Sequence, residues 1–98
     1  MNANFKFDII IIGGGSAAFS AAIKATELGA EVAVCEKGVI GGTCLNRGCI
    51  PSKSLLKASE VFYYSVHQPF HGIEIPKGKV DLARLIEQKD DLVLSLRQ

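Results

Sequence analysis

Hydrophobic and polar positions in residues 6–36 change from a strand pattern to a helix pattern and back. The β-branched run Lys6–Ile12 (KFDIIII) ends at a glycine, which predicts a short, fully buried central strand. The alanine-rich stretch Ala17–Leu28 predicts a helix that is stopped by Gly29. The stretch Glu31–Glu36 (EVAVCE) predicts a second strand. Strand, glycine turn, helix and strand form a right-handed βαβ unit, so the predicted fold class is α/β.

The second half of the chain is predicted to be helical around one loop. Ser54–Val66 has a helical apolar pattern, and prolines and glycines in His67–Lys79 predict a loop. Asp81 is the expected N-cap of a last helix, Leu82–Gln98. The apolar side chains expected to face inward are Leu55, Leu56, Val61 and Phe62 on the first helix and Leu82, Leu85, Ile86, Leu92, Val93 and Leu96 on the second.

Composition narrows the class of protein. The 98 residues suffice for one small domain, and 48% apolar with 21% charged residues is typical of folded sequence. A net charge of +1 indicates no electrostatic attraction to nucleic acid or to an anionic membrane. The run Ile9–Ile12 is too short to span a bilayer, and no signal-peptide pattern is found, so we expect a cytoplasmic location.

The turn after the first strand carries a dinucleotide-binding pattern. Gly13, Gly15 and Ala18 match G-x-G-x-x-A between a predicted strand and a predicted helix, and Glu36 ends the next strand. Glycine permits the tight turn and the approach of a pyrophosphate to the helix N-terminus, and a carboxylate at Glu36 can accept hydrogen bonds from ribose hydroxyls. The alternative is a packing turn with a solvated Glu36.

Two cysteines stand five positions apart in Gly41–Lys53 (GGTCLNRGCIPSK), at Cys44 and Cys49. On a regular helix their Cα atoms would lie about 8–9 Å apart, whereas a disulfide needs about 7 Å or less. A bond therefore requires a local bend, which Gly48 and Pro51 would allow.

Three kinds of site use closely spaced cysteines: a structural disulfide, half of a metal site, or a redox couple. Zinc is disfavoured because Cys35, His67 and His71 do not supply a second pair with ligand spacing. A structural disulfide across so small a loop would contribute little through chain entropy. Chemistry alone therefore favours a redox pair, and Cys35 is expected to be a buried core residue.

The stretch Gly41–Lys53, together with the glycine turn and Glu36, resembles the active-site signature of the FAD-dependent pyridine nucleotide–disulfide oxidoreductases. The resemblance covers nearly the whole chain and implies the N-terminal part of a Rossmann-like FAD-binding domain, with an active-site helix and a further helix after it. It implies FAD as cofactor and NAD(P)H as co-substrate. It places Gly13, Gly15 and Ala18 at the FAD pyrophosphate and Glu36 at the adenosine ribose.

The resemblance also assigns roles to the second stretch. Cys44 is expected to be the interchange thiol exposed to substrate, Cys49 the thiol beside the flavin ring, and Lys53 a positive charge near the flavin. The catalytic candidates are Cys44, Cys49 and Lys53, and no metal site is expected apart from these two cysteines as Hg(II) ligands. The cofactor-binding candidates are Gly13, Gly15, Ser16, Ala17, Ala18, Glu36, Lys37, Gly42, Thr43, Cys49 and Lys53.

Within the family, Ser16–Ala25 and His67–Ile73 look more like mercuric reductases, whereas Leu45–Lys53 is closer to dihydrolipoamide dehydrogenases. The resemblance therefore implies Hg(II) as substrate first and a small disulfide or dithiol second, in a homodimer when full length. The alternatives are a non-catalytic dinucleotide-binding module with inert cysteines, and a structural or regulatory fragment without cofactor. Because family enzymes contain further NAD(P) and interface domains, residues 1–98 are expected to be an N-terminal fragment that is inactive alone.

Overall fold

The computed structural model describes residues 4–98, which form an α/β structure. The chain divides into two compact units, the first ending at Asn46 and the second starting at Arg47. The elements, in chain order, are β1 (Ile9–Ile12), α1 (Ser16–Glu27), β2 (Val32–Cys35), α2 (Gly42–Arg47), α3 (Cys49–Val66) and α4 (Leu82–Leu96).

The first unit contains the predicted βαβ arrangement. Strands β1 and β2 pair in parallel, with Ile9 opposite Val32 and Ile12 opposite Cys35. Both strands are shorter than the sequence pattern predicted. Asp8 lies just before β1 instead of within it. Its carboxylate accepts a hydrogen bond from the Glu31 backbone N–H at 2.8 Å, which links the two chain segments at the amino ends of the strands.

Helix α1 connects the two parallel strands. Its end confirms the expected stop, because Gly29 has φ +87°, a conformation that favours glycine. The Ala30 N–H donates to the Ala25 carbonyl at 3.0 Å and satisfies a carbonyl of the last turn. Ala25 is also the buried residue of this helix, where α1 packs against the strands.

The prediction of a fully buried central strand is wrong for this structure. Ile10 is 63% exposed and Ile12 is 90% exposed. The sheet of the described residues has two strands, so each of them is an edge strand. A β-branched run shows that a segment prefers the strand conformation, but it does not show how many layers cover it.

The stretch between the cysteines is helical, which the sequence pattern did not predict. Helix α2 occupies Gly42–Arg47, and α3 begins at Cys49, five residues before the predicted start. The sequence predicted only a local bend in this stretch, which Gly48 and Pro51 would allow. Pro51 is tolerated because it lies in the first turn of α3, where a backbone N–H needs no intrahelical partner.

The second unit consists of α3, α4 and the segment between them. This segment is irregular, so the predicted loop is confirmed. An open groove of about 690 Å³ separates parts of the two helices and is lined by both apolar and polar side chains. Val93 is buried, but Leu56, Val61 and Leu82 are each at least 60% exposed. Leu55 and Leu85 are half-buried. The remaining expected inward side chains, Phe62, Ile86, Leu92 and Leu96, are also exposed.

The expectation that these side chains face inward is therefore wrong for most of them. Helical periodicity identifies an apolar face, and α3 and α4 cover only part of each other's face. Among the helices of residues 4–98, none has the length and apolar character needed to cross a membrane.

Asp81 caps α4 as predicted, since its carboxylate accepts a hydrogen bond from the Arg84 backbone N–H at 3.1 Å. Replacement of Asp81 by alanine removes this bond, so we expect the free energy of unfolding to fall by about 1 kcal/mol. Urea unfolding followed by circular dichroism measures the change. Asp81→Asn is the matched control, because asparagine keeps the cap while losing the charge. Equal losses in both variants would contradict a capping role.

Candidate active site

The glycine turn lies between β1 and α1, at the carboxyl end of the first strand. Gly13 has φ +107°, so a residue with a side chain would be strained there. Gly15 is the N-cap of α1, and among the described residues no side chain caps this helix end. The first-turn N–H groups of α1 and its positive dipole end therefore form an anion-binding arrangement. These groups belong to Ser16, Ala17 and Ala18.

Glu36 lies directly after β2 and bridges two backbone segments. One carboxylate oxygen, Oε2, accepts a hydrogen bond from the Gly14 N–H at 2.7 Å. The other, Oε1, accepts from the Gly38 N–H at 2.8 Å. The bonds from Gly38 and Gly14 favour the charged form and hold the pKa of Glu36 below its ordinary value of 4.5. Glu36 is thus an ionised carboxylate with a defined orientation beside the glycine turn.

Gly14 is a site residue that the sequence pattern did not single out. It is buried, and a Cβ at this position would meet Glu36 Oε2 at 3.1 Å. The pattern G-x-G-x-x-A treats this position as variable. The sequence did contain a sign of its importance. Three consecutive glycines stand here, whereas the pattern requires glycine only at its first and third positions.

A second glycine pair contacts the turn through its backbone. The Gly41 N–H donates to the Gly14 carbonyl at 2.8 Å. Gly42 has φ +66°, and a Cβ built there would lie 2.7 Å from the Gly15 Cα. Real Cβ atoms do not approach a backbone atom so closely, so only glycine fits at position 42. The segment that leads to the cysteines is therefore tied to the glycine turn.

An open cavity of about 710 Å³ lies at the carboxyl ends of the two strands. Ligands of parallel α/β sheets bind at this edge. The residues that line it are Ile12, Gly13, Val34, Cys35, Glu36 and Lys37. The expectation that Cys35 is buried is wrong, since this cysteine is free and exposed. It ends β2 opposite the exposed Ile12, at the open edge of the sheet.

Cys44 and Cys49 are both disulfide-bonded. Cys44 lies within α2 and is half-buried, whereas Cys49 is the first residue of α3 and is exposed. The expected local bend occurs at Gly48, whose φ of −122° and ψ of −108° interrupt the helical backbone between α2 and α3. Because Cys44, the expected substrate-facing thiol, is the less exposed of the two, the division of roles between the cysteines stays a prediction.

Two more predicted site residues lie on the same helices. Thr43 is exposed in the first turn of α2, and Lys53 is exposed on α3, four positions after Cys49. Residues four apart share one face of a helix. Among residues 4–98, no group of three or more histidine, cysteine, aspartate or glutamate side chains is arranged to hold a metal ion.

The fold and these residues define an α/β protein with a glycine-rich turn after its first strand and a disulfide-bonded cysteine pair. The family model described as "Pyridine nucleotide-disulphide oxidoreductase" matches residues 7–94. The chain therefore belongs to the pyridine nucleotide-disulphide oxidoreductase family.

Similar proteins include members with different substrates. A mercuric reductase of Lysinibacillus sphaericus is 56% identical over 94% of the chain and 17% of its own length. Dihydrolipoyl dehydrogenase 1, mitochondrial, of Arabidopsis thaliana is 47% identical over 91% of the chain and 18% of its own length. A Cu(II) complex of the HOCl-induced flavoprotein disulfide reductase RclA from Escherichia coli superposes with a TM-score of 0.71 at 30% identity, covering 95% of the chain and 18% of that protein. The chain thus spans less than a fifth of the length of these relatives.

Gly42→Ala tests the contact between the two glycine pairs. The positive φ costs about 1–2 kcal/mol for a non-glycine residue, and the clash with Gly15 adds to it, so we expect a loss of about 3 kcal/mol in the free energy of unfolding. Urea unfolding measures it. Gly38→Ala is the control, because its Cβ would lie at an ordinary contact distance of 3.5 Å from Glu36. A loss at position 42 no larger than at position 38 would refute the steric argument.

Glu36→Gln tests the carboxylate bridge through its pH dependence. Since the folded-state pKa lies below the unfolded-state value, the carboxylate stabilises the fold above about pH 4.5, and this stabilisation is lost as the pH falls through the lowered pKa. We expect the stability difference between wild type and Glu36→Gln to be largest near pH 7 and to shrink toward pH 3. Denaturant midpoints across this range, with Glu31→Gln as control, measure it. A pH-independent difference would contradict the bridge.

Proposed function

We propose that the chain binds FAD at the glycine turn and carries the redox-active cysteine couple of a flavoprotein oxidoreductase. The observation that carries this proposal is the disulfide-bonded state of Cys44 and Cys49. The first of them follows a glycine pair held against the dinucleotide turn by the bond from the Gly41 N–H to the Gly14 carbonyl. A dinucleotide turn alone occurs in many dehydrogenases, but such an enzyme has no chemical use for an adjacent cysteine pair.

The residues around the turn fit two parts of a dinucleotide, its pyrophosphate and one ribose. The uncapped first turn of α1 offers N–H groups to a pyrophosphate. A carboxylate has about four lone-pair sites, and the Glu36 bonds to Gly14 and Gly38 use one site on each oxygen. Glu36 therefore keeps acceptor capacity for ribose hydroxyls without giving up its backbone partners.

Bound FAD would supply hydride acceptance from a pyridine nucleotide and delivery of two electrons to the disulfide. Opening of the disulfide by two electrons and two protons leaves two thiols. The N-terminus of the 18-residue helix α3 stabilises a thiolate at Cys49, its first residue, through its dipole. Lys53, one turn later, places a positive charge on the same side of the helix.

The exchange half of the reaction uses the two sulfurs in sequence. In the proposed order the Cys44 thiolate attacks a substrate disulfide, forms a mixed disulfide and releases one substrate thiolate, which takes up a proton. The Cys49 thiolate then attacks the Cys44 sulfur, which restores the protein disulfide and releases the second substrate thiol. Two electrons and two protons pass to the substrate.

Hg(II) is the first proposed substrate. The higher identity to mercuric reductases, 56% against 47% for a dihydrolipoyl dehydrogenase, supports it. Two soft thiolates are suitable ligands for Hg(II), which takes up two electrons, supplied by NADPH, to become Hg(0). A small disulfide or dithiol is the second candidate, supported by the dehydrogenase relatives. A cytoplasmic location and a homodimeric assembly belong to the same proposal.

The proposal is tested by the absorbance of the FAD-loaded protein. After reduction of the cysteine pair, a broad long-wavelength band is expected if the Cys49 thiolate contacts oxidised flavin. Cys49→Ser should abolish the band while FAD stays bound, and Cys35→Ser should keep it. Failure to bind FAD, or an unchanged band in Cys49→Ser, would overturn the proposed function. Because residues 1–98 are expected to be inactive alone, the two substrates are distinguished in the longer protein of which they are expected to be the N-terminal part, by formation of Hg(0) with NADPH compared with NAD⁺ reduction by dihydrolipoamide.

A further inference from the structure

Asn46 lies in α2 and its side chain is bonded back to the loop before that helix. The Nδ2 atom lies 2.8 Å from the Gly42 carbonyl oxygen and 3.0 Å from the Ile40 carbonyl oxygen. Both partners are acceptors, so the NH₂ group, with its two hydrogens, must face them rather than the amide oxygen. One side chain therefore holds two carbonyls of the Ile40–Gly42 segment.

The Ile40–Gly42 segment is at the same time attached to the glycine turn. Gly41 donates its N–H to the Gly14 carbonyl, and Gly42 lies against Gly15 in backbone contact. Asn46 thus joins α2 to a segment that is itself tied to the proposed cofactor turn. Cys44 lies in the same helix, two positions before Asn46.

Helix α2 needs such support because it has only six residues. Helices shorter than about 12 residues are marginal in water. Glycines stand at both ends of α2, at Gly42 and Gly48, and they do not restrict the backbone as other residues do. When the disulfide opens, the Asn46 bonds still join α2 to the segment before it, beside the Leu45 side chain that lies against Gly41.

We infer that Asn46 is a positioning residue for the Cys44/Cys49 couple, an inference that rests on the proposed function of this pair. By keeping α2 ordered in the dithiol state, Asn46 keeps Cys44 placed for closure of the disulfide. Loss of the two bonds lets α2 gain conformational freedom on reduction. The dithiol then becomes more favourable relative to the disulfide.

The equilibrium with glutathione tests this inference without any need for FAD. Two glutathione thiols are oxidised to glutathione disulfide, and the two electrons and two protons convert the protein disulfide to two thiols. Asn46→Asp preserves shape but replaces the donors with oxygens that face carbonyls. We expect its reduction equilibrium constant to rise about tenfold, from the loss of two hydrogen bonds. Alkylation of free thiols at fixed glutathione ratios, read by mass spectrometry, measures it.

Asn4→Asp is the matched control, because it makes the same chemical change at an exposed residue outside the helices and strands. Its constant should equal that of the wild type. If Asn46→Asp does not fold, Asn46→Ala removes the donors without adding a charge and decides the question by the same readout. A folded Asn46 variant with the wild-type constant would overturn the inference.

The outcomes separate this inference from the proposed function. If the wild type does not bind FAD and yet the shift is found, the cofactor assignment fails and the role of Asn46 stands. If FAD binds and the shift is absent, the role of Asn46 fails alone. If the wild-type cysteines form no reversible couple with glutathione, both fail.

Discussion

Backbone contact between Gly15 and Gly42 is the constraint on which the candidate site depends. A Cβ at position 42 would lie 2.7 Å from the Gly15 Cα, so the two segments meet at a distance that only glycine allows. The bond from the Gly41 N–H to the Gly14 carbonyl lies next to this contact. The N-terminus of α1 and the N-terminus of α2 are held together as a result, and α2 carries the first cysteine.

The Glu36 carboxylate organises the other side of the same turn. It binds the Gly14 N–H with one oxygen and the Gly38 N–H with the other, and these bonds keep it ionised. Gly14 is therefore fixed on both sides, by its carbonyl to Gly41 and by its N–H to Glu36. Because the N–H and the carbonyl of Gly14 are both hydrogen-bonded, the turn is held in one conformation. Binding of the proposed dinucleotide would therefore cost less conformational entropy.

The cysteine pair is placed by a break in helical structure. A continuous helix would hold residues five apart at about 8–9 Å between Cα atoms, which is too far for a disulfide. The irregular backbone at Gly48 ends α2 and starts α3, so each cysteine belongs to a different helix. This arrangement also places Cys49 at the N-terminus of α3. Relatives more than five times as long include enzymes named for different substrates.

The order of the strands and helices, and several of their ends, could be predicted from the sequence because each depends on residues that are close together in the chain. The βαβ order, the stop at Gly29 and the cap at Asp81 each depend on neighbouring residues and were found where expected. Burial was not predictable in the same way. The strand Ile9–Ile12 and the thiol of Cys35 are exposed because burial depends on which layers cover an element, and a hydrophobic run carries no information about its partners.

The sequence by itself determined the family, the glycine turn and the position of the cysteine pair, since each is recognised from a short motif with fixed spacing. The tertiary structure decided why particular glycines stand where they do. Gly42 is required by contact with Gly15. Gly14 lies so close to Glu36 that a Cβ would meet its Oε2 at 3.1 Å, and Asn46 matters through the carbonyls it holds. Gly42–Gly15 and Gly14–Glu36 join residues more than twenty positions apart, and such contacts exist only after the chain has folded.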